Sequence, residues 1–300
     1  MHRRSPGLWA VVAACAIVAG ACSSSSSSGA GSTGASSSTK ARTTAAVTTT
    51  TTAPRPTTND ADAAMLAWVH SRQGTTDVSI GDVATGNVTD VTPLPQTQMR
   101  IASVVKVSIA IAILRQLHAQ GQPVSSTIMN DLTVMIEQSD NDAAQRLWTF
   151  EGGPDALLVT ERTAGLTQTA YQVGHGWGFS LTTAHDQARL EAMLAGNRML
   201  DPQSTQLELN LMHHVVSSEQ WGFADVVAPD IAPAIKNGWY EDTDAPVWRV
   251  HCTAIFDSPL LAHPFSIAVF NRYPATLGMG YGEDTCRGIA RRLGAYLERK

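Results

Sequence analysis

Beyond residue 58 the chain alternates between apolar runs with the period of helices and shorter runs with the period of strands. Met65, Leu66 and Val69 stand at helical spacing behind an Asn/Asp cap, which predicts a helix over Asn59 to Arg72. Asp77 to Val91 reads as two short strands with Gly86-Asn87 in the turn between them. Ile101 to His118 is apolar on nearly every face and ends before Gly121 and Pro123, the pattern of a buried helix. Further helices are predicted over Ser126 to Gln138, over Asp140 to Phe150, and from Pro154 to near Gly165. Two more open at Thr183-Ala184-His185-Asp186 and at Asp201-Pro202, where a capping residue comes before the apolar run. The last third changes period. Ala234 to Tyr240, Val247 to Phe256 and Phe265 to Asn271 read as strands, and Thr285 to Leu297 as a closing helix. This order predicts an α/β (α+β) fold: an antiparallel sheet built from both chain ends and flanked by helices, with an all-helical lobe inserted at about 103–222.

The first sixty residues have a different character. His2-Arg3-Arg4 is a positive start, Gly7 to Gly20 is mostly apolar, and Ala19-Gly20-Ala21 places small residues before Cys22. That is the layout of an export signal over 1–21, and cysteine after the cut resembles a bacterial lipobox, in which Cys22 is acylated. Ala19 stands where lipoboxes usually carry Leu, so an ordinary secretory signal or a short uncleaved anchor are the alternatives. Residues 22–58 are Ser, Thr, Gly and Ala with almost no large apolar side chain, the composition of a flexible tether. Such a coil spans roughly 30–36 Å. The expected location is therefore the outer face of the cell membrane, with residues 59–300 as a single, monomeric domain.

Cysteine use fits export. With Cys15 lost and Cys22 acylated, only Cys252 and Cys286 remain, and they form either a disulfide or two buried thiols. Net charge is −5, with no basic cluster beyond Arg291-Arg292, which excludes nucleic acid as a natural partner. The chain has four lysines: Lys40, Lys106, Lys236 and Lys300.

Two of those lysines fall in motifs. Ser103-Val104-Val105-Lys106, Ser139-Asp140-Asn141 and Lys236-Asn237-Gly238 follow one another in order. The first means little alone, since Ser37-Ser38-Thr39-Lys40 repeats it inside the tether. All three in sequence carry weight. Ser103 and Lys106 are three residues apart at the start of a buried helix and so share a face. A serine hydroxyl needs a neighbouring base to become a nucleophile. A lysine among Val105, Val107 and Ile109 has its charged form disfavoured, which moves its pKa toward that use. The Ser103 backbone N–H, at a helix start, can meet a developing oxyanion. Ser139-Asp140-Asn141 lies between two helices, where a plain N-cap is the competing reading. Lys236-Asn237-Gly238 opens a strand whose edge suits an extended peptide, with Lys236 toward a carboxylate, unless Lys236 is merely a surface residue.

With these motifs the chain resembles the class A β-lactamases and low-molecular-weight penicillin-binding proteins, and among them the actinobacterial β-lactamase-related lipoproteins. The resemblance covers most of 59–300 and includes Gly152-Gly153-Pro154, which in the family begins a helix. It implies that Ser103 is acylated, that Lys106 is the base and that Ser139 passes a proton to the leaving nitrogen. It also implies a structural Asp140, a substrate-binding Asn141 and Lys236, and an oxyanion hole from Ser103 and Trp239 N–H beside Gly238. The departures are equally specific. The interval from Ser103 to Ser139 is far shorter than in class A enzymes, implying a more open cleft. Their E-x-x-x-N loop corresponds here to Tyr171 to Leu181, YQVGHGWGFSL, which contains no carboxylate to activate a deacylating water. His175 is the one substitute base there, and a structural histidine is its competing reading. Asn237 stands where the family has Thr or Ser, removing a hydroxyl that helps hold a carboxylate.

The remaining candidates lead elsewhere. His213 and His214 are adjacent on a helix and project apart, which argues against a shared metal. Trp68, Trp148, Trp221 and Trp248 read as packing residues. No cofactor or metal is implied. The expected function is an exported, lipid-anchored serine hydrolase using an acyl-enzyme on cell-wall peptide, amide or β-lactam-like substrates, and a poor β-lactamase. The alternative is a catalytically degenerate envelope protein that keeps the fold for binding or scaffolding.

Overall fold

The structure, a computed structural model, describes residues 57–242 and 245–300. Residues 1–56, on which the expected signal, the acylated Cys22 and most of the expected tether fall, lie outside the described residues. Helix α1 (Thr58–His70) starts from a capping box in which Thr57 and Asp60 each bond the other's backbone N–H. The cap is therefore Thr57 rather than the Asn/Asp pair, because Asp60 at the third helical position can reach back to it. Strands β1 (Thr75–Asp82) and β2 (Val88–Asp90) form the predicted hairpin, followed by a two-residue β3 (Met99–Arg100).

The helical lobe is built round α2 (Val105–Ala119), in which every residue from Val105 to Leu114 is buried. Ala102–Ala119 is long and apolar enough to cross a membrane, but 72% of it is buried inside the protein, as suits a core helix. Around it lie α3 (Ser126–Glu137), α4 (Asn141–Glu151) and α5 (Pro154–Ala164). A short β4 (Leu181–Thr182) pairs with β3, and α6 (Ala184–Ala195) and α7 (Pro202–His213) complete the lobe. The chain then returns through β5 (Ala234–Asp242), β6 (Val247–Phe256) and β7 (Phe265–Pro274), and ends with α8 (Met279–Ala290).

The five-stranded sheet has the order β2-β1-β7-β6-β5, with every pair antiparallel. Strands from the two chain ends meet where β1 pairs with β7. Alternation along β7 splits the core in two: Ala268 and Phe270 face the helical lobe, while Ile267 and Val269 pack beneath α1 and α8. Both faces are covered, which is why Thr76 to Gly81 are all buried. Gly81 lets α6 lie directly on the sheet, since a Cβ there would sit 2.5 Å from Ala188 O.

The closing helix differs from expectation, spanning Met279–Ala290 rather than Thr285 to Leu297. The helix starts through a glycine-rich stretch, and close packing requires two of its glycines. A Cβ on Gly282 would lie 2.5 Å from Val250 Cβ, and one on Gly288 would lie 2.1 Å from the Trp68 ring. Beyond Ala290 the chain tightens into a 3-10 turn at Gly294–Leu297.

Cys252 on β6 is bonded to Cys286 on α8, across 34 positions of sequence. Closing a loop of that length removes chain entropy from the unfolded state. The double variant Cys252→Ala/Cys286→Ala is expected to lose about 2–4 kcal/mol of stability, read from urea unfolding curves fitted with a separate, steeper slope for the variant.

Candidate functional site

Ser103 lies in a 3-10 turn, Ala102–Val104, one step before α2 rather than within it. The turn is forced by Ala102, whose φ of 53° is left-handed and costs an alanine about 1–2 kcal/mol. It leaves Ser103 partly exposed at the floor of a cleft, with Lys106 beneath it on the second residue of α2. Lys106 is 0% exposed. Its Nζ donates to Ser139 O, to Asn141 Oδ1 at 2.8 Å and toward Ser139 Oγ at 3.2 Å. No hydrogen bond joins it to Ser103 Oγ among the described residues, although the sequence places the two on one face.

The Ser139-Asp140-Asn141 segment crosses from α3 to α4 with Ser139 at φ 56°, a second left-handed non-glycine residue. Asp140 holds the turn as the N-cap of α4, accepting from Ala143 N at 2.7 Å. The competing N-cap reading is therefore correct for Asp140, while its two neighbours face the lysine. Ser139 Oγ also accepts from Lys236 Nζ at 2.9 Å. One hydroxyl thus sits between two lysine amines that are 130 positions apart in the chain (236 − 106).

Burial sets the charge of both amines. It pushes Lys106 down from 10.5 to about 7, helped by repulsion from Lys236. Lys236, 1% exposed, is pushed by burial to about 8 against the attraction of Glu219 and Glu208. Those acids are raised by burial in turn, Glu208 to about 8, and the nearby lysine charge only partly reverses this.

Lys236, Asn237, Gly238 and Trp239 occupy β5, the edge strand that closes over the serine turn. Gly238 is required there: a Cβ would lie 2.8 Å from Ser103 N and 2.9 Å from Val104 N. Asn237 is 2% exposed, and its Nδ2 donates to Glu219 O at 2.8 Å and Trp221 O at 3.1 Å. It fastens β5 to the preceding turn rather than facing the cleft.

The cleft measures about 360 Å³ and is lined by Trp177, Phe179, Trp239 and Tyr240 together with Asn141 and Gln145. The Trp177 ring centroid lies 5.2 Å from Lys106 Nζ, and Phe179 stands 5.9 Å from Tyr240. His175 is exposed and outside the lining; it stacks on Phe179, and its carbonyl accepts from Tyr171 Oη. Trp148 packs against Tyr171 and Trp221 against Trp239, as packing residues do. His213 reaches Asp257 and His214 reaches Asn210 O, so the pair diverges. No trio of His, Cys, Asp or Glu is placed to hold a metal among the described residues. Sequence reasoning passed over Trp177, Phe179, Tyr240 and Gln145, together with Glu208 and Glu219 behind Lys236. The density of rings in YQVGHGWGFSL was the available signal.

The model of the beta-lactamase enzyme family matches residues 118–297. No curated protein matches the chain. Among solved structures, a beta-lactamase from Chitinophaga pinensis is similar at 16% identity and TM-score 0.66, over 78% of this chain and 98% of that one. A beta lactamase from Xanthomonas campestris gives 17% identity and TM-score 0.65, over 80% and 99% of the two chains. A class A beta-lactamase from Mycobacterium abscessus gives 19% and 0.62, over 78% and 100%. At these identities the likeness carries the fold.

Gly238→Ala should force β5 away from the serine turn. Labelling of Ser103 by a fluorophosphonate, followed by mass spectrometry, is expected to slow by about 10²-fold, the scale of losing one oxyanion donor. A near-unchanged far-ultraviolet spectrum should accompany the loss.

Proposed function

Because the chain belongs to the beta-lactamase enzyme family, we propose that it is a serine hydrolase working through an acyl-enzyme on Ser103, exported and held to the membrane through an acylated Cys22. The observation that supports this best is the Ser139 hydroxyl held between the Lys106 and Lys236 amines, with Ser103 three residues ahead of Lys106 at the floor of the cleft. Lys106 in its neutral form takes the Ser103 proton as Oγ attacks a carbonyl carbon. Ser103 N–H and Trp239 N–H receive the oxyanion. Ser139 carries the proton to the leaving group, and Lys236 keeps that hydroxyl oriented. Asn141 Oδ1 is engaged by Lys106, which leaves its amide N–H groups for a substrate carbonyl.

Deacylation is the weak step in this reading. The loop over 171–181 brings no carboxylate to the cleft, and His175 lies outside it. A peptide, amide or β-lactam-like substrate should acylate Ser103 and leave slowly, which makes the protein a poor β-lactamase. The same loop, together with the absence of a Ser103–Lys106 hydrogen bond among the described residues, favours a second reading as a binding protein that retains the fold.

Intact-protein mass spectrometry after incubation with several β-lactams separates the two. An added mass of one drug molecule, absent from Ser103→Ala and decaying over minutes to hours, is the expected result. No adduct from any β-lactam or fluorophosphonate would turn the reading toward the binding protein.

The pH dependence follows from Lys106. With its pKa lowered to about 7, half of the amine is neutral at pH 7. An unperturbed lysine would be neutral in only about one molecule in three thousand. Acylation rates measured between pH 5 and 9 are expected to climb about tenfold per unit at first and to level off above pH 7.

A further inference from the structure

None of the ten residues lining the cleft beside Ser103 carries a charge. Its walls are Trp177, Phe179, Trp239 and Tyr240, and its polar groups are the neutral amides of Asn141 and Gln145 and the serine itself. The cations nearby all point elsewhere. Lys106 and Lys236 are 0% and 1% exposed, and their amines are occupied by Ser139, Asn141 and Asn237 O. Arg100 and Arg249 both bond Asp242, and the Arg100 guanidinium lies over the Phe179 ring at 4.8 Å. Behind the Lys236-Asn237-Gly238 segment the space is closed. Asn237 is tied to Glu219 O and Trp221 O, and Gly222 packs against the Cys252–Cys286 bridge with its Cβ position 3.2 Å from Cys286 Cβ.

A carboxylate entering this cleft gives up its hydration and meets no cation, whereas an apolar or aromatic group gains contact with four rings. We propose that, among the substrates open to an acyl-enzyme, the cleft favours neutral esters whose acyl group is apolar or aromatic over donors that carry a carboxylate. This deepens the acyl-enzyme reading above and rests on it. In the reaction a bond forms between Ser103 Oγ and the acyl carbon as the bond from that carbon to the leaving oxygen breaks. The Ser103 proton passes through Lys106 and Ser139 and ends on the leaving oxygen. Water later takes the place of Ser103 on the acyl carbon, returning the proton to Oγ and releasing the acid.

The test uses the full chain and two p-nitrophenyl esters of equal length, the pentanoate and the mono-ester of glutarate, which differ only in a terminal carboxylate. The nitrophenol burst should be at least about 30-fold faster with the pentanoate, consistent with an unpaired charge in an apolar site. Phe179→Arg, which places a guanidinium on a partly exposed wall position, should shrink that ratio by about fivefold or more, since charge pairing offsets part of the dehydration cost. Equal rates, a faster glutarate, or a Phe179→Arg ratio that does not move would overturn the inference. So would reaction with neither ester while a fluorophosphonate still labels Ser103. Failure of the fluorophosphonate as well, on chain shown to be folded, would bring down the acyl-enzyme reading itself.

Discussion

Two lysine amines, one from the helical lobe and one from β5 of the sheet, are buried close together, and a single serine hydroxyl lies between them. Dehydrating an ammonium costs several kcal/mol, and two cations close together add repulsion, so the arrangement is held only because other parts of the fold impose it. Ser139 is fixed at a left-handed φ by the Asp140 cap of α4. Lys106 is carried inward by α2, whose first ten residues are all buried. Lys236 is carried inward by β5, with Glu208 and Glu219 offsetting part of its charge. The outcome of these constraints is an amine at Lys106 whose neutral form is plentiful near neutral pH, the one property a serine nucleophile needs from its partner.

The serine itself depends on an equally tight contact. The Ala102 kink and the missing side chain of Gly238 together let the β5 backbone approach Ser103 N without a clash. That approach fixes the distance between strand and turn, and therefore where an oxyanion would sit. The sheet behind β5 is anchored from the far side. Asn237 pins β5 to the turn at Glu219 and Trp221, and the disulfide pins β6 to α8. The kink at Ala102 is thus backed by elements from the last third of the chain, and that at Ser139 by the cap of α4.

Much of this architecture is legible in the pattern of apolar residues. Periods of helix and strand identify nearly every element, because most helices bury one face and announce their caps: Asp140, Thr183 and Asp201 each bond the first turn they precede. The three motifs are legible because their chemistry is written in residue types. What the pattern hides is tertiary. The start of α8 is obscured by glycines whose role is to admit Val250 and Trp68. The cleft wall is hidden because loop residues such as Trp177 and Phe179 show no period, and only the fold decides which way they point. The link from Lys236 to Ser139 is likewise invisible, since local spacing says nothing about residues on different lobes.

The Trp177 ring near Lys106 raises a competition that magnitudes can decide. A cation over an aromatic face gains about 0.5–2 kcal/mol, which favours the charged amine. Removing that amine from water costs several kcal/mol and favours the neutral one. Burial wins, and the ring contributes more by excluding water than by attracting charge. The same dry wall then acts on both halves of the proposed reaction. It helps to keep water from the Lys106 amine, and it brings no carboxylate to the cleft. In the proposed reaction a neutral base and a slow release therefore both draw on the aromatic loop over 171–181.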